Sequence, residues 1–331
     1  MKKTLINILK FAIYFAIGGF LMWFVYRSYD MQEIKDALSG GIKVWWLVIA
    51  LFAGLLSHIS RTIRWQMIIE PIAKRTDTTN TFIAVMIGYF ANLLIPRMGE
   101  ISRCGVLARY EKISMSKLVG TVVVERLIDV ISLLVCLVLV LALQFNIVTD
   151  FLSRNTDLSG FANIFASIWT YVILLTIVLL FRVFRKWFAQ TSPYQKLKGL
   201  WSKFAEGFMA IKNIKNKGRF IAHSVFIWVM YFFMIYLNFY AFDFTSHLTP
   251  LAGLSVFVLG SLGMVAPVQG GMGPWHFMVI ASLQMYGVAK VEGGAFALIV
   301  WSSLNAMIVI LGIVSLIVLP IINRKRENAS A

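Results

Sequence analysis

GYFANLLIPRMGEISRC, residues 88–104, decides how this chain is read. A proline, a glycine and three charges (Arg97, Glu100 and Arg103) break into an apolar segment that a plain membrane span would continue. The run ahead of the break, 81–95, measures about 22 Å as an α-helix, short of the roughly 30 Å hydrocarbon core of a bilayer. A second break of the same kind lies far downstream, GSLGMVAPVQGGMGPWH at 260–276. Interrupted hydrophobic segments placed in both halves of a membrane protein point to a transport site.

The rest of the composition agrees with a bilayer setting. The 331 residues are 59% hydrophobic, and several apolar runs reach spanning length, so the expected class is an all-α, polytopic integral membrane protein. The short alternating segments of a β-barrel are missing. The formal charge of +16 sits at the flanks of apolar runs and not in a soluble basic domain. Membrane sidedness explains it better than a nucleic-acid partner. Cys104 and Cys136 are isolated, and His58, His223, His247 and His276 are scattered without metal spacing, so neither a disulfide, a metal nor a cofactor is expected. MKKTLINILK followed by the apolar 11–26 resembles a signal sequence without a small-residue cleavage site, which predicts an uncleaved anchor. No soluble stretch is long enough for another folded domain, and 1–331 reads as one transmembrane domain.

Clear spans fall at about 5–26, 44–69, 119–143, 163–184, 220–241 and 295–319, with 81–95, 250–266 and 274–288 less regular. Lys2, Lys3 and Lys10 set the N-terminus in the cytoplasm. If 81–95 then crossed fully, the basic stretch 182–219, with Glu206 its one acid, would lie outside. That inverts the positive-inside rule. If 81–104 dips in and returns, both basic stretches and the Arg324–Arg326 tail become cytoplasmic, and 250–266 must pair with 274–288. The expectation is therefore about 6 to 8 transmembrane helices plus two Pro/Gly-broken re-entrant elements entering from opposite faces. An inverted repeat is the hypothesis this raises, although P-x-x-G (Pro96–Gly99, Pro267–Gly270) is all the two breaks share. Within 194–212 an apolar stripe flanked by lysines reads as an interfacial helix on the basic cytoplasmic loop.

The span at 119–143 carries Glu125, Arg126 and Asp129. Each charge costs roughly 2.5–3.5 kcal/mol at a bilayer centre, so partners or water are required. Arg97, Glu100 and Arg103 are the expected partners. Two readings stay open: a salt-bridge knot that pins the first break, or an anion site in which Arg97, Arg103 and Arg126 exceed what Glu125 and Asp129 need. At the second break, Gly270, Gly271 and Gly273 let backbone approach a ligand, and Pro274 suits the first turn of a helix whose N-terminus would face an anion. The same glycines also fit a tight turn or close helix packing. His276 is the one histidine beside a break. Ser57, Arg61 and Arg64 share a face of the second span beside Trp65, and read as snorkelling arginines at an interface. No nucleophile–base pair or phosphate loop is present in the sequence.

NLLIPRMGEISR (92–103), ERLID (125–129) and PVQGGMG (267–273) resemble the flippase-like membrane family whose best-known relative is the transmembrane region of lysylphosphatidylglycerol synthase. The resemblance covers nearly the whole chain. It implies a multi-pass protein of the bacterial plasma membrane that moves an anionic or modified lipid, of phospholipid or polyprenyl-phosphate type, between leaflets. By motif match Asn92, Arg97, Gly99, Glu100, Arg103, Glu125, Arg126, Asp129, Pro267, Gly270, Gly271 and Gly273 inherit the family's site. The synthase's soluble aminoacyl-transferase domain has no counterpart here, so no enzymatic activity is expected. Where many relatives have a glutamate after the glycine motif, this chain has His276. The expected partners are membrane lipids with anionic headgroups, with a homo-oligomer or a separate lipid-modifying enzyme as the protein partner. A proton- or ion-coupled transporter of a small anion, and a non-transporting scaffold, are the rival functions.

Overall fold

The structure is a computed structural model that describes residues 16–27, 29–155 and 214–330. The expected span at 163–184, the 194–212 stripe and all of the 182–219 loop before 214 lie outside the described residues. Among the described residues every regular element is helical. A short helix α1 (Ala16–Tyr26) leads into α2 (Met31–Ala37), whose first turn is capped by the Asp30 carboxylate accepting from the Gln32 N–H at 2.8 Å. Then follow α3 (Val44–Ile69), α4 (Thr78–Leu94), α5 (Met98–Glu111) and α6 (Met115–Asn155). After the gap come α7 (Lys217–Tyr236, continued by a 3-10 turn Leu237–Ala241), α8 (Pro250–Gly263), α9 (Pro274–Gln284) and α10 (Lys290–Ser330). Among the described residues four stretches are long and apolar enough to cross a bilayer: Val44–Ile69, Met115–Phe151, Lys217–Ala241 and Lys290–Arg324. The outward side chains of α6, such as Leu134, Val138 and Leu143, are apolar and exposed, as a lipid-facing helix requires.

Cross-helix bonds fix the directions. Ser60 Oγ lies 2.9 Å from His223 Nδ1 and Lys43 pairs with Asp243 at 2.7 Å, so α3 and α7 run antiparallel. Trp65 Nε1 donates to Thr121 Oγ1 at 2.8 Å, while Arg61 reaches Asp129, so α3 and α6 also run antiparallel.

The two sequence breaks form the tips of two helical hairpins. In the first, α4 and α5 pack antiparallel: Gly88 meets Gly99 and Arg103 near the tip, and Asn80 Nδ2 donates to Glu111 Oε1 at 2.7 Å at the base. The helices touch backbone to backbone, because a Cβ on Gly99 would run into the Gly88 carbonyl. In the second, α8 and α9 do the same: Gly260 and Gly263 lie against Trp275 and Pro274, and the Tyr286 and Ser255 hydroxyls hydrogen-bond at 2.7 Å at the base. The 17 residues of α4 and the 14 of α8 give depths of about 25 and 21 Å.

The long α10 orders the two hairpins. Passing along it, Gly293 packs on Ile280 of the second hairpin, Trp301 Nε1 donates to the Gly270 carbonyl at its tip (2.7 Å), Gly312 packs on Phe90 of the first hairpin, and Asn323 hydrogen-bonds Asn80 at its base. The hairpins thus point toward each other, tip to tip, with Leu93 against Gly270. Charge separates along the same axis. One end gathers Lys74, Arg75, Arg109, Lys112, Lys117, Lys215, Lys217, Arg219 and Arg324 against Glu70, Asp77 and Glu111. The other holds Asp30, Glu33, Asp36, Asp150, Asp243 and Glu292 against Arg27, Lys35, Lys43 and Lys290.

Candidate functional site: a buried ion network beside the first hairpin

Glu125 and Asp129 stand one turn apart on α6, and Arg61 and Arg64 one turn apart on α3. Antiparallel packing sets these two pairs face to face. Arg61 Nη1 donates to Glu125 Oε1 and, at 3.0 Å, to Asp129 Oδ2. Arg64 Nη2 donates to Asp129 Oδ1 at 2.7 Å and lies 3.6 Å from Glu125 Oε1. From α5 comes Arg103, with Nη1 3.0 Å from Glu125 Oε2, its guanidinium centred 4.5 Å above the Trp65 ring. Arg61, Arg64, Arg103 and Glu125 are all buried. Arg61 Nη2 also donates to Tyr231 OH (3.1 Å), which sits 3.2 Å from Tyr89 OH.

This corrects the sequence reading of Arg61 and Arg64. They do not snorkel to an interface; they are the main partners of the two carboxylates. The signal was available, since a pair of arginines at i, i+3 matches a pair of acids at i, i+4 on an antiparallel neighbour. Nothing in one sequence says that the two helices touch. Arg97, expected as a partner, is exposed at the hairpin tip and makes no ion pair among the described residues. It caps α5 with positive φ (64°), an uncommon backbone state for a residue with a Cβ.

Arg126 and Glu100 form the outer part. Arg126 Nε lies 3.2 Å from Glu100 Oε1, and its Nη1 lies 3.7 Å from Asp129. The Arg126 side chain is 46% exposed, and it lies on the outward stripe of α6 with Val119, Val123 and Val130. Behind this pair a cleft lined by Val85, Gly88, Tyr89, Asn92, Gly99 and Arg103 measures about 10 Å³, the room of about one water. Asn92 closes the turn, its Oδ1 accepting from the Gly99 N–H at 2.7 Å.

The balance of charge is uneven. Within the buried part three guanidinium groups meet two carboxylates. Arg61 Nε, Arg64 Nε and Nη1, and Arg103 Nε and Nη2 have no hydrogen-bond partner, and on the network's acceptor side only Glu125 Oε2, which faces Arg103 in the ion pair, is in the same state. Buried donors are normally satisfied, and each one left bare costs about 1–3 kcal/mol or more when charged. An anion or ordered water has the chemistry to satisfy them.

The second break is placed elsewhere. Gly270 contacts Leu93, Asn305 and Trp301, Gly271 contacts Met264 and Trp275, and Gly273 contacts Leu21. None of these neighbours belongs to the ion network. The three glycines have positive φ, so the tight-turn reading of the motif holds. The N–H groups of Gly271, Met272 and Gly273 donate to Val268 O, Gln269 O and His276 Nδ1. Pro274 opens α9 as expected, and Pro96 and Pro267 lie in the turns before the two tips. His276 is not in the network. It is buried among Tyr26, Trp275 and Trp301, with ring centroids 5.2–5.7 Å away.

Residues 7–322 match the family described as lysylphosphatidylglycerol synthase TM region. The chain belongs to that family. It is also 23% identical over 319 residues to a UPF0104 membrane protein of Methanocaldococcus jannaschii, covering 90% of this chain and 89% of the relative. No solved structure matches it. Family and helices together make this a helical membrane protein. The ion network uses the family resemblance's residues Glu100, Arg103, Glu125, Arg126 and Asp129, and adds Arg61 and Arg64 from a helix the motifs do not cover.

Proposed function

We propose that this member of the family is a lipid translocator, and that the ion network receives the phosphate of an anionic or modified lipid. The observation that carries the reading is the buried excess of guanidinium donors, reached past a half-exposed Arg126–Glu100 pair on the outward face of α6. A headgroup phosphate would replace Glu100 on Arg126 and then meet Arg103, while the tails stay in the bilayer. The cleft behind the pair holds about one water as it stands, so passage needs the first hairpin to shift. In this reading both hairpins are re-entrant, with the lysine- and arginine-rich end cytoplasmic together with both termini, in a plasma membrane. Their meeting tips shorten the polar path a headgroup must cross. Irregular backbone at such depth is tolerated where it is buried in protein or lines a wet cavity. The activity is transport, with no covalent step.

Purified protein in vesicles of phosphatidylcholine and phosphatidylglycerol, with a tail-labelled phosphatidylglycerol, provides the test. Arg103→Gln with Arg126→Gln is expected to slow exchange between leaflets more than tenfold while the helical circular dichroism is kept. Unchanged exchange would sink the site. Uptake of a small anion driven by a pH gradient, without lipid exchange, would favour the coupled transporter instead.

A further inference from the structure

A separate crevice lies at the basic end of the molecule, where α3 finishes and α7 begins. We infer that it is a second binding site, for a phosphate-bearing anionic headgroup at the membrane surface. This inference stands on its own geometry and does not require that the ion network translocate anything.

The crevice has a volume of about 110 Å³. On the same measure that is about eleven times the one-water cleft beside Arg126, enough for a tetrahedral oxyanion. One wall is apolar, built by Ile63, Met67 and Ile214. The rim is cationic. Lys215 is already used by Glu70 at 3.0 Å, which leaves Arg75 and Arg219 on the rim with no carboxylate partner among the described residues. Both are exposed. Arg75 is held in place from below: buried Gln66 donates through Nε2 to the Thr76 carbonyl at 2.6 Å and to Thr78 Oγ1 at 3.2 Å, fixing the turn that carries it. Arg219 is held by the first turn of α7, where Asn216 Oδ1 accepts from its N–H at 3.0 Å. Two arginines on anchored backbone, at the rim of a pocket with one apolar wall, fit a phosphate with a chain attached.

The crevice is distinct from the ion network. Gln66 is five residues past Arg61 on α3, about 7.5 Å nearer the basic end. None of the crevice's lining residues bonds to Glu125 or Asp129.

Native mass spectrometry of the protein in a neutral maltoside detergent tests this, with dioctanoyl phosphatidylglycerol, inorganic phosphate and dioctanoylglycerol as probes. The phosphatidylglycerol is expected to bind, and Arg75→Gln with Arg219→Gln to weaken that binding at least tenfold. Dioctanoylglycerol should bind no better to the wild type than to this variant. Phosphate bound as tightly as the lipid would identify a free-phosphate site, and lipid bound far more tightly would identify a headgroup site. Arg103→Gln leaves the crevice occupied, so loss of transport and loss of this site are separable. Arg219→Gln alone serves if the double variant misfolds. Binding unchanged by either crevice variant, or lipid binding abolished wholly by Arg103→Gln, overturns the assignment.

Discussion

The two hairpins have similar backbones and opposite chemistry. Each is a pair of short antiparallel helices with a Pro/Gly tip, glycine contacts below it and a polar bond at the base. The first carries Glu100 and Arg103 beside its tip and packs against Glu125 and its arginines. The second has a tip wrapped in Tyr26, Trp275, His276 and Trp301. A common framework thus serves a charged, cleft-lining element on one side and an aromatic, closely packed one on the other. The difference teaches that similar breaks in two apolar segments can have different surroundings. The charges on the neighbouring helices set the first apart.

The strongest way to break the comparison is to remove the charge centre. Glu125→Ala leaves three buried guanidinium groups facing Asp129 alone, and breaking a buried ion pair from one side costs about 3–5 kcal/mol. A large fall in thermal stability in detergent is expected. Glu125→Gln should recover part of it, because the amide oxygen still accepts hydrogen bonds. At the second hairpin His276→Phe keeps the ring and strands no charge, and is expected to cost less than Glu125→Ala. Equal losses at the two positions would show that the hairpins do not differ in the way described.

Backbone contact comes next. Gly99→Ala and Gly263→Ala each drive a methyl into neighbouring backbone, the Gly88 carbonyl in one and Pro274 and Trp275 in the other. Overpacking of this kind costs about 1–3 kcal/mol. Gly105→Ala, in open space on the outer face of α5, should be silent or slightly stabilising. If Gly99→Ala were as silent as Gly105→Ala, the close packing of α4 on α5 would be wrong.

Much of this fold was legible in the chain, for physical reasons. The span at 44–69 coincides with α3 because an apolar run of bilayer length leaves little choice of element. Both breaks were legible because each combines a proline with glycines where the apolar run stops, whereas Pro320 by itself stays inside α10. Charge bias led to the expectation that 81–104 turns back within the membrane; of this, the antiparallel packing of α4 and α5 is seen, with Asn80 meeting Glu111 at the base. What sequence did not reveal was pairing between helices. Arg61 and Arg64 beside Trp65 have the spacing of an interfacial belt, and only their contact with α6 makes them network members. Arg97 was misplaced for the converse reason: Glu100 and Arg103 follow it closely in sequence, but it sits exposed in the left-handed turn that opens α5. Likewise, Gly270–Gly273 has the composition of an anion cradle, yet its turn uses the amides internally.

The polar bonds at the hairpin bases sharpen the comparison at smaller magnitude. Gln144, at the kink of α6, donates to the Leu251 carbonyl and to Ser255 Oγ, and accepts from Tyr286 OH at 2.6 Å. Tyr286→Phe removes one donor from that base and should cost about 1 kcal/mol. Asn323→Ala removes the α10 partner of Asn80 at the other base, where Glu111 still accepts from Asn80. A similar cost of about 1 kcal/mol is expected there, and denaturant titration in mixed micelles would measure both. A loss several times larger at Asn323 would mean that α10 carries the first hairpin more than α3 and α6 do.

Arg97→Gly is the smallest change and the most informative about the first tip. A left-handed residue with a Cβ pays about 1–2 kcal/mol that glycine does not, against which glycine loses some entropy on folding. The variant is therefore expected to be as stable as the wild type or up to about 1 kcal/mol more stable. Its transport rate then separates two roles for the strained arginine. If exchange of labelled lipid falls while stability holds, the exposed guanidinium contributes to headgroup capture ahead of Arg126, and the strain is kept for that charge. If exchange is unchanged, Arg97 serves only as the turn between α4 and α5, and capture begins at the Arg126–Glu100 pair.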